Sequence, residues 1–317
     1  MVEPLLAVED LCIDYLTETG DVRIVDSLSF ELRRGEIVGL AGESGSGKTT
    51  TLKGILRLLP HPAAITGGRV LFKEMDILEM DEDQLRVFRW KQISLVMQSA
   101  MNALNPVLTV GEQIRDVFAA HEGKSATEEQ IAELLELVGI EGSRVGSYPH
   151  ELSGGMRQRV VIAMALALKP PLDFMDEPTT ALDVVVQKGI LDKITALKED
   201  LGFSILFITH DLALMLEFCT RIGILYAGRL AESAPSDLLR TDPKHPYTQG
   251  LMRAFPDVNS DQTELVGIGG SPPDPRNPPP GCRFHPRCPK VVDRCRSEQP
   301  PMRELGPDHL VACWVAE

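Results

Sequence analysis

The sequence lacks any apolar run long enough to cross a membrane. Its longest apolar runs, such as residues 160–168, have about nine residues, whereas a membrane-spanning helix needs roughly 18 or more. Basic residues are also few relative to acidic ones, and the formal net charge is −14. Because no basic excess is available to neutralise phosphates, direct binding of nucleic acid or anionic lipid is not expected. We therefore expect neither membrane insertion nor a nucleic-acid partner.

The amino terminus has neither the basic nor the apolar region of a signal peptide. We therefore expect a cytosolic protein, where disulfides are disfavoured. With 317 residues and 43% hydrophobic composition, the chain is long enough for one large domain with an appendage, or for two domains. No internal repeat is evident in the sequence.

A glycine-rich stretch, residues 42–50, matches the phosphate-loop pattern G-x-x-x-x-G-K-[ST] at every fixed position. It follows an apolar run of buried-strand length, 37–41, and precedes a segment with helical apolar spacing, 50–59. This strand–loop–helix context predicts a site where backbone N–H groups and a helix N-terminus bind phosphates. Lys48 is predicted to reach the β- and γ-phosphates, and Thr49 to ligate Mg²⁺. The predicted nucleotide contacts of this loop are Gly42, Ser44, Gly45, Gly47, Lys48, Thr49 and Thr50.

Hydrophobic periodicity predicts that strands and helices alternate around this loop. Strands are predicted at 5–15, 23–25, 28–32, 37–41, 69–72, 93–97, 172–176, 204–209, 222–226 and 229–232. Helices are predicted at 50–59, 81–90, 110–121, 127–138, 156–168 and 184–201. The pattern is typical of an α/β nucleotide-binding core with a helical insertion.

Two further motifs carry charge or anion-binding potential. The apolar strand 172–176 ends in Asp176 and Glu177, which suits Mg²⁺ held by the first carboxylate and a water polarised by the second. Asp173 is unexpected, because it puts a charge inside this apolar strand. Ser153 with two following glycines opens a helix, which predicts a second anion-binding N-terminus.

Together these residues resemble the ATP-binding cassette (ABC) ATPases. The segment 152–158, Leu-Ser-Gly-Gly-Met-Arg-Gln, looks like the signature motif of that family, and it lies upstream of the Asp-Glu pair as the family requires. The resemblance covers roughly residues 5–240. It implies that Tyr15 stacks on adenine and that His210 contacts the γ-phosphate. It also implies that Gln98 is the Q-loop glutamine, which senses Mg²⁺ and the membrane partner. Asp183 would end the D-loop, Ala181-Leu182-Asp183.

The resemblance also implies a mechanism. Two cassettes would dimerise head to tail, with each ATP between one phosphate loop and the signature motif of the other subunit, Ser153, Gly154 and Gly155. Mg²⁺ would be held by Thr49, Gln98 and Asp176, and the catalytic set would be Glu177, His210 and Gln98. The physical logic agrees, because two facing helix N-termini neutralise the γ-phosphate better than one.

The composition changes beyond about residue 241. Eleven of the 23 prolines lie between Pro272 and Pro307, too many for regular helix or sheet. The segments 245–251, His-Pro-Tyr-Thr-Gln-Gly-Leu, and 281–289, Gly-Cys-Arg-Phe-His-Pro-Arg-Cys-Pro, resemble the oligopeptide/dipeptide branch of ABC importers, which also includes nickel and some oligosaccharide importers.

This tail also contains four of the six cysteines, Cys282, Cys288, Cys295 and Cys313. Clustered thiols in a proline-rich cytosolic segment suggest metal rather than disulfide. Relatives with this cysteine pattern bind a [4Fe–4S] cluster, and cysteine-only ligation fits that chemistry. The lack of a Cys-x-x-Cys pair weakens the zinc alternative, while free thiols or disulfides remain a third alternative. His285 is a candidate substitute ligand, although a structural role in its loop is favoured. Cys12 and Cys219 are expected in the core.

The resemblance predicts a P-loop NTPase of the ABC cassette type, α/β, with a RecA-like core, an antiparallel β subdomain and a helical subdomain. The predicted boundaries are 1–240 for the ATP-binding domain, about 98–168 for its helical subdomain, and 241–317 for a Pro/Cys-rich extension. The implied activity is ATP hydrolysis that powers import of di- or oligopeptides, or alternatively of nickel or oligosaccharides.

The implied partners are a second, different ABC ATPase subunit, two transmembrane permease subunits and an extracytoplasmic peptide-binding protein. The chain itself would lie peripherally at the cytoplasmic face of the membrane, with the helical insertion docking on the permeases. A soluble ABC ATPase of DNA repair, translation or cluster assembly is the rival hypothesis. Such proteins usually have tandem cassettes, long coiled insertions or basic surfaces. The third hypothesis is a degenerate cassette or a nucleotide sensor. It is disfavoured because the key residues of the motifs are intact, namely Lys48, Ser153, Glu177 and His210.

Overall fold

The computed structural model describes residues 3–18, 20–97, 103–179, 182–254 and 267–317. The predicted Q-loop residue Gln98 and the first D-loop residue, Ala181, lie outside the described residues.

The described strands confirm the predicted strand segments and extend several of them. In chain order they are β1 (Leu6–Tyr15), β2 (Val22–Leu32), β3 (Ile37–Ala41), β4 (Ala63–Phe72), β5 (Met75–Asp76), β6 (Ile93–Val96), β7 (Leu172–Asp176), β8 (Ser204–Ile208), β9 (Arg221–Tyr226), β10 (Arg229–Pro235), β11 (Arg303–Gly306) and β12 (His309–Val311). The two strands predicted at 23–25 and 28–32 are one strand, β2. An extra residue opposite β1 forms a bulge there, with Ser27 at φ 50°, so pairing continues past the polar pair Asp26-Ser27.

The described helices likewise include every predicted one. They are α1 (Lys48–Ile55), α2 (Glu82–Phe88), α3 (Val110–Glu122), α4 (Glu128–Leu137), α5 (Gly154–Leu166), α6 (Val184–Leu201), α7 (Leu212–Phe218), α8 (Ser236–Thr241), α9 (Pro246–Ala254) and α10 (Asp293–Ser297). The sequence did not predict α7 to α10, because five to nine residues are too few for a clear helical period. Among the helices of the described ranges, none combines the length and apolarity needed to cross a bilayer.

The chain divides into two compact units. The first contains residues 1–32, 37–79 and 208–317. Within it, β1 pairs with β2 and β4 in an antiparallel sheet of order β2-β1-β4-β5. Its other strands follow the order β11-β12-β10-β9-β3, in which β3 runs parallel to β9. All five residues of β3 are buried, so this strand fixes the start of the glycine-rich loop rigidly.

The second unit contains residues 33–36 and 80–207. Here β6 pairs in parallel with β7, and every residue of β7 is buried. Helices α3 and α4 begin with reciprocal capping boxes at Thr109/Glu112 and Thr127/Gln130, which satisfy the first free N–H groups of each helix. This unit therefore presents the Asp-Glu pair at the carboxyl end of a buried strand.

The proline-rich tail contains more regular structure than the sequence predicts. The expectation of no helix or strand between Pro272 and Pro307 is wrong, because α10 and β11 lie there. Both occupy proline-free stretches, 290–299 and 302–306, in which all backbone N–H groups remain available. The adjoining β12 pairs with β10, so the end of the tail is part of a sheet of the first unit.

Candidate functional site

The glycine-rich loop joins β3 to α1 in the first unit, as predicted. Gly42 has φ 148°, and a Cβ there would overlap the carbonyl oxygen of Leu225. Gly47 has φ 101° and directly precedes α1. Both positions thus need glycine for close backbone approach. Ser44, Gly45 and Thr49 are exposed, so the loop presents an accessible edge at a helix N-terminus, where phosphate binds favourably.

Lys48 is held across this loop. Its Nζ donates hydrogen bonds to the carbonyl oxygens of Gly42 at 2.7 Å and Glu43 at 3.0 Å. Thr51 ties the first turn of α1 back to Gly47, because its Oγ1 donates to that carbonyl at 2.9 Å. The cation is therefore anchored at the centre of the loop, where its charge adds to the helix dipole.

Two further predicted nucleotide contacts lie in this unit. Tyr15 is half-buried at the end of β1, opposite Val22 and Ala63 of the neighbouring strands. His210 is exposed and lies just after β8. Next to it, the Asp211 side chain caps α7 by accepting a hydrogen bond from the N–H of Leu214 at 3.0 Å. The roles assigned to both residues stay predictions.

Asp176 and Glu177 lie in the second unit, at the end of β7. Asp176 is 5% exposed, and Glu177 is half-buried with φ 48°. A left-handed backbone is unusual for glutamate, and such conformations occur preferentially at functional sites. The pair thus lies at the end of a buried strand, and the metal-binding and base roles assigned to it stay predictions.

The predicted signature motif also lies in the second unit, at the start of α5. The exposed Ser153 caps this helix by accepting a hydrogen bond from Met156 N–H at 3.3 Å. A Cβ on Gly155 would lie 2.7 Å from Cγ1 of Val186, at the start of α6. Asp183 caps α6 through the N–H of Val186 at 2.9 Å. The first turns of α5 and α6 therefore pack closely, and Asp183, the last residue of the predicted D-loop, caps the second of these helices.

The four tail cysteines lie in the first unit as free thiols. The pKa of Cys282 is raised to about 11, chiefly by burial and to a smaller extent by the charges of the other three cysteines. Hydrogen bonds from backbone N–H groups oppose this rise in pKa. The N–H of Phe284 lowers the pKa of Cys282, and that of Lys290 lowers the pKa of Cys288. The N–H groups of Val315 and Ala316 lower the pKa of Cys313. Within the described residues, no three His, Cys, Asp or Glu side chains are placed to hold a single metal ion.

Two predictions remain: that the other two cysteines lie in the core, and that His285 is a candidate metal ligand. Cys12 and Cys219 are buried, at 9% and 4% exposure, which confirms the core prediction. His285 directs its Nδ1 to the carbonyl oxygen of Cys282 at 3.0 Å, so this ring nitrogen has a structural partner.

Two residues that surround Glu43 of the glycine-rich loop were not predicted to belong to the site. Arg287 forms two hydrogen bonds with the Glu43 carboxylate, at 2.7 and 2.9 Å. The Glu43 N–H donates to the Tyr247 hydroxyl at 3.0 Å. Tyr247 and Arg287 belong to the two tail segments, 245–251 and 281–289, that resemble the importer branch. This resemblance was the only feature of the sequence that singled out either residue.

Comparison with known proteins agrees with these features. Residues 25–180 match the ABC transporter family, and residues 231–295 match the oligopeptide/dipeptide transporter C-terminal region. Two relatives from Bacillus subtilis (strain 168) are the dipeptide transport ATP-binding protein DppD and the oligopeptide transport ATP-binding protein OppD. The first is 40% identical over 100% of this chain and 96% of the relative, and the second 42% identical over 99% and 89%.

Solved structures with the same fold include a dimeric structure of MJ0796, a bacterial ABC transporter cassette. It has a TM-score of 0.65 and 29% identity, and the match covers 73% of this chain and 98% of that one. The same cassette in a dimeric post-hydrolysis state bound to ADP and phosphate gives a TM-score of 0.64. The chain therefore belongs to the ABC transporter family of ATP-binding ATPases, in the group that carries the oligopeptide/dipeptide transporter C-terminal region.

Proposed function

We propose that this chain is the ATPase subunit that powers import of di- or oligopeptides through separate membrane subunits. The observation that carries the proposal is the match along the whole chain, tail included, to dipeptide and oligopeptide transport ATP-binding proteins. The lack of a helix able to span a bilayer among the described residues is compatible with transmembrane permeases on other chains. Those permeases would hold the chain at the cytoplasmic face of the membrane.

The site residues have distinct roles in this proposal. Lys48 and the glycine-rich loop bind the phosphates, and Thr49 and Asp176 hold Mg²⁺ together with Gln98. Glu177 is the general base for the attacking water, and His210 contacts the γ-phosphate. Tyr15 stacks on adenine. Ser153, with the two glycines that follow it, binds the ATP of the opposing cassette through the N-terminus of α5.

The partners follow from that dimeric arrangement. The opposing cassette is proposed to be a different ABC subunit, and an extracytoplasmic binding protein delivers the peptide. ATP bridges the two cassettes because two helix N-termini share its negative charge. Hydrolysis removes this bridge and lets the cassettes separate.

An uptake assay tests the proposal. In the source organism, the chromosomal copy is replaced by the Glu177→Gln variant, and uptake of labelled di- and oligopeptides, nickel and oligosaccharide is measured. Glu199→Gln, an exposed change of the same kind on α6, is the control. Loss of peptide uptake in the first strain alone is the expected result. Loss of nickel or oligosaccharide uptake instead would reassign the cargo, and a defect limited to DNA repair or translation would support the rival hypothesis.

We further propose that the tail binds a [4Fe–4S] cluster through Cys282, Cys288, Cys295 and Cys313. The four thiols lie close enough together for the other three to affect the charge of Cys282, and a set of four cysteine ligands fits the chemistry of such a cluster. The backbone N–H groups directed at three of them would stabilise thiolate ligands.

Anaerobic purification tests this cofactor. About four irons and four sulfides per chain, with brown colour, are expected for a cubane. One zinc without colour would replace the proposal by a structural zinc site. The absence of any metal would leave the four cysteines as free thiols, and either of these results would leave the ATPase assignment intact.

A further inference from the structure

The glycine-rich loop and the cysteine tail meet at one residue, Glu43. Its carboxylate accepts two hydrogen bonds from the Arg287 guanidinium, at 2.7 and 2.9 Å. Its backbone N–H donates to Tyr247 at 3.0 Å, and its carbonyl oxygen accepts from Lys48 at 3.0 Å. Residues of the tail thus hold both the side chain and the main chain of Glu43. Glu43 in turn helps to hold Lys48, the lysine predicted to bind phosphate.

Arg287 is itself rigidly held. Its side chain is only 6% exposed, and it donates to the Tyr226 hydroxyl at 3.2 Å and the Gly269 carbonyl at 2.9 Å. Its guanidinium also lies over the rings of Tyr226 and Phe284, with centroid distances of 5.7 and 6.0 Å. A bidentate guanidinium–carboxylate pair fixes direction as well as charge. Arg287 therefore sets where the Glu43 carboxylate points.

The charge of Glu43 needs such a partner because the loop next to it binds polyphosphate. A free carboxylate in this position would repel the anionic ligand, and this repulsion is strong where water is partly excluded. The Arg287 guanidinium, 2.7 Å from this carboxylate, neutralises its charge and holds it in place. Loss of the pair would release the charge toward the bound phosphates.

A second arginine from the same tail segment supports the loop from another side. Arg283 donates to the Ala227 carbonyl oxygen and to the Asp26 carboxylate. Gly228, which follows Ala227 in the sequence, donates its N–H to the carbonyl oxygen of Ser46 in the glycine-rich loop at 3.0 Å. Cys282 and Cys288 flank both arginines in sequence. The cysteine segment consequently braces the glycine-rich loop at two places.

We propose that Arg287 is a positioning residue for ATP binding: it neutralises and orients Glu43, and through it the loop that holds Lys48. This inference rests on the proposed nucleotide site. It connects the cysteine segment with the ATPase, because Arg287 lies beside Cys288 in the sequence and is hydrogen-bonded to Glu43 of the phosphate loop.

The test measures the dissociation constant of the Mg²⁺ complex of the slowly hydrolysed analogue ATPγS by calorimetry, on full-length chain purified anaerobically. Arg287→Gln is expected to weaken binding about tenfold, which corresponds to about 1.4 kcal/mol. Arg296→Gln is the matched control, because it removes the same charge from an exposed position of the same tail. It is expected to bind like the unmodified chain.

The double variant Glu43→Gln/Arg287→Gln separates positioning from simple folding. Removing the repelling carboxylate should restore affinity to within about threefold of the unmodified chain. Arg287→Lys keeps the charge without the second hydrogen bond, so an intermediate affinity is expected. A double variant as weak as Arg287→Gln would mean that Arg287 serves only the folding of the tail, and would overturn the inference.

A Lys48→Ala variant distinguishes failure of the inference from failure of the proposed site. If Lys48→Ala loses binding while Arg287→Gln binds normally, the site stands and the role of Arg287 is overturned. If Lys48→Ala binds normally, the proposed nucleotide site itself is wrong. The nucleotide site and the role of Arg287 are both supported by one set of results: Lys48→Ala loses binding, Arg287→Gln weakens it, and the double variant recovers it.

Discussion

Ser94 on β6 donates a hydrogen bond to the Asp173 carboxyl on β7 at 2.8 Å, and both residues are buried within the second unit. The other carboxyl oxygen of Asp173 has no hydrogen-bond partner in the described residues. Burial raises the pKa of Asp173 to about 7, and the bond from Ser94 only partly offsets this. The polar residue that looked out of place in an apolar strand is therefore a group that titrates near neutral pH.

Asp173→Asn is predicted to remove a pH dependence of stability. The folded pKa of about 7 exceeds the unfolded value of about 3.9, so the unfolded chain releases the proton first, and stability falls as pH rises between these values. From pH 5 to pH 8 the loss should be roughly 2–3 kcal/mol. Urea unfolding at both pH values, on the unmodified chain and the variant, measures the difference.

The control for this prediction is Asp192→Asn, an exposed carboxylate on α6. It should retain the pH slope of the unmodified chain, because it leaves the buried Asp173 in place and changes only a side chain at the surface. An equal slope in Asp173→Asn and the unmodified chain would show that Asp173 ionises as readily in the folded protein as in the unfolded one.

Asp26→Asn is predicted to destabilise the first unit. The Asp26 carboxylate is buried and pairs with Arg229 at 2.7 Å, with Arg283, and more distantly with Arg23 at 3.7 Å. Removing its charge takes the carboxylate partner from Arg229 and from the largely buried Arg283, whereas Arg23 keeps its pair with Asp14. Loss of one partner of a buried ion pair costs about 3 kcal/mol or more, and less where the arginine is partly exposed. Thermal unfolding followed by circular dichroism should show a lower melting temperature.

Asp21→Asn is the comparison for that experiment, because Asp21 is exposed at the start of the same hairpin. Its melting temperature should stay close to that of the unmodified chain. If Asp26→Asn melts at the same temperature as Asp21→Asn, the arginines find other partners and the carboxylate is dispensable for stability.

Glu177→Gln is predicted to slow ATP hydrolysis by about 10²–10⁴-fold while ATP binding persists, because a general base contributes this much. The amide keeps the shape of the half-buried side chain but cannot accept the proton of the attacking water. Phosphate release measures hydrolysis, and calorimetry with the Mg²⁺ complex of ATPγS measures binding. Turnover as fast as in the Glu199→Gln control would remove Glu177 as the base.

Local patterns in the sequence were sufficient for the elements next to the phosphate loop. The glycines at 42 and 47 occupy the close-approach positions that the motif predicts, and β3, α1 and β7 lie where the apolar runs indicate. These features depend on neighbours within a few residues. Spacing alone was therefore enough to find them.

The contacts made by the tail were beyond the reach of sequence patterns. Tyr247 is 204 residues from Glu43, and Arg287 is 244 residues from it. No periodicity connects residues so far apart, and both lie in segments whose motifs indicated a family without indicating a contact. The burial that shifts Asp173 likewise depends on the packing of α/β layers rather than on its own strand.

Cys288→Ser is predicted to release the metal of the tail without emptying the nucleotide site. A serine oxygen is a poor replacement for a thiolate on iron, so iron content and visible absorption should both fall. Because Arg287 adjoins this position, ATPγS affinity should weaken by up to about tenfold, rather than disappear as expected for Lys48→Ala. Cys12→Ala, at a buried cysteine outside the tail, should retain iron, colour and affinity. Unchanged iron in Cys288→Ser would exclude this thiol as a ligand.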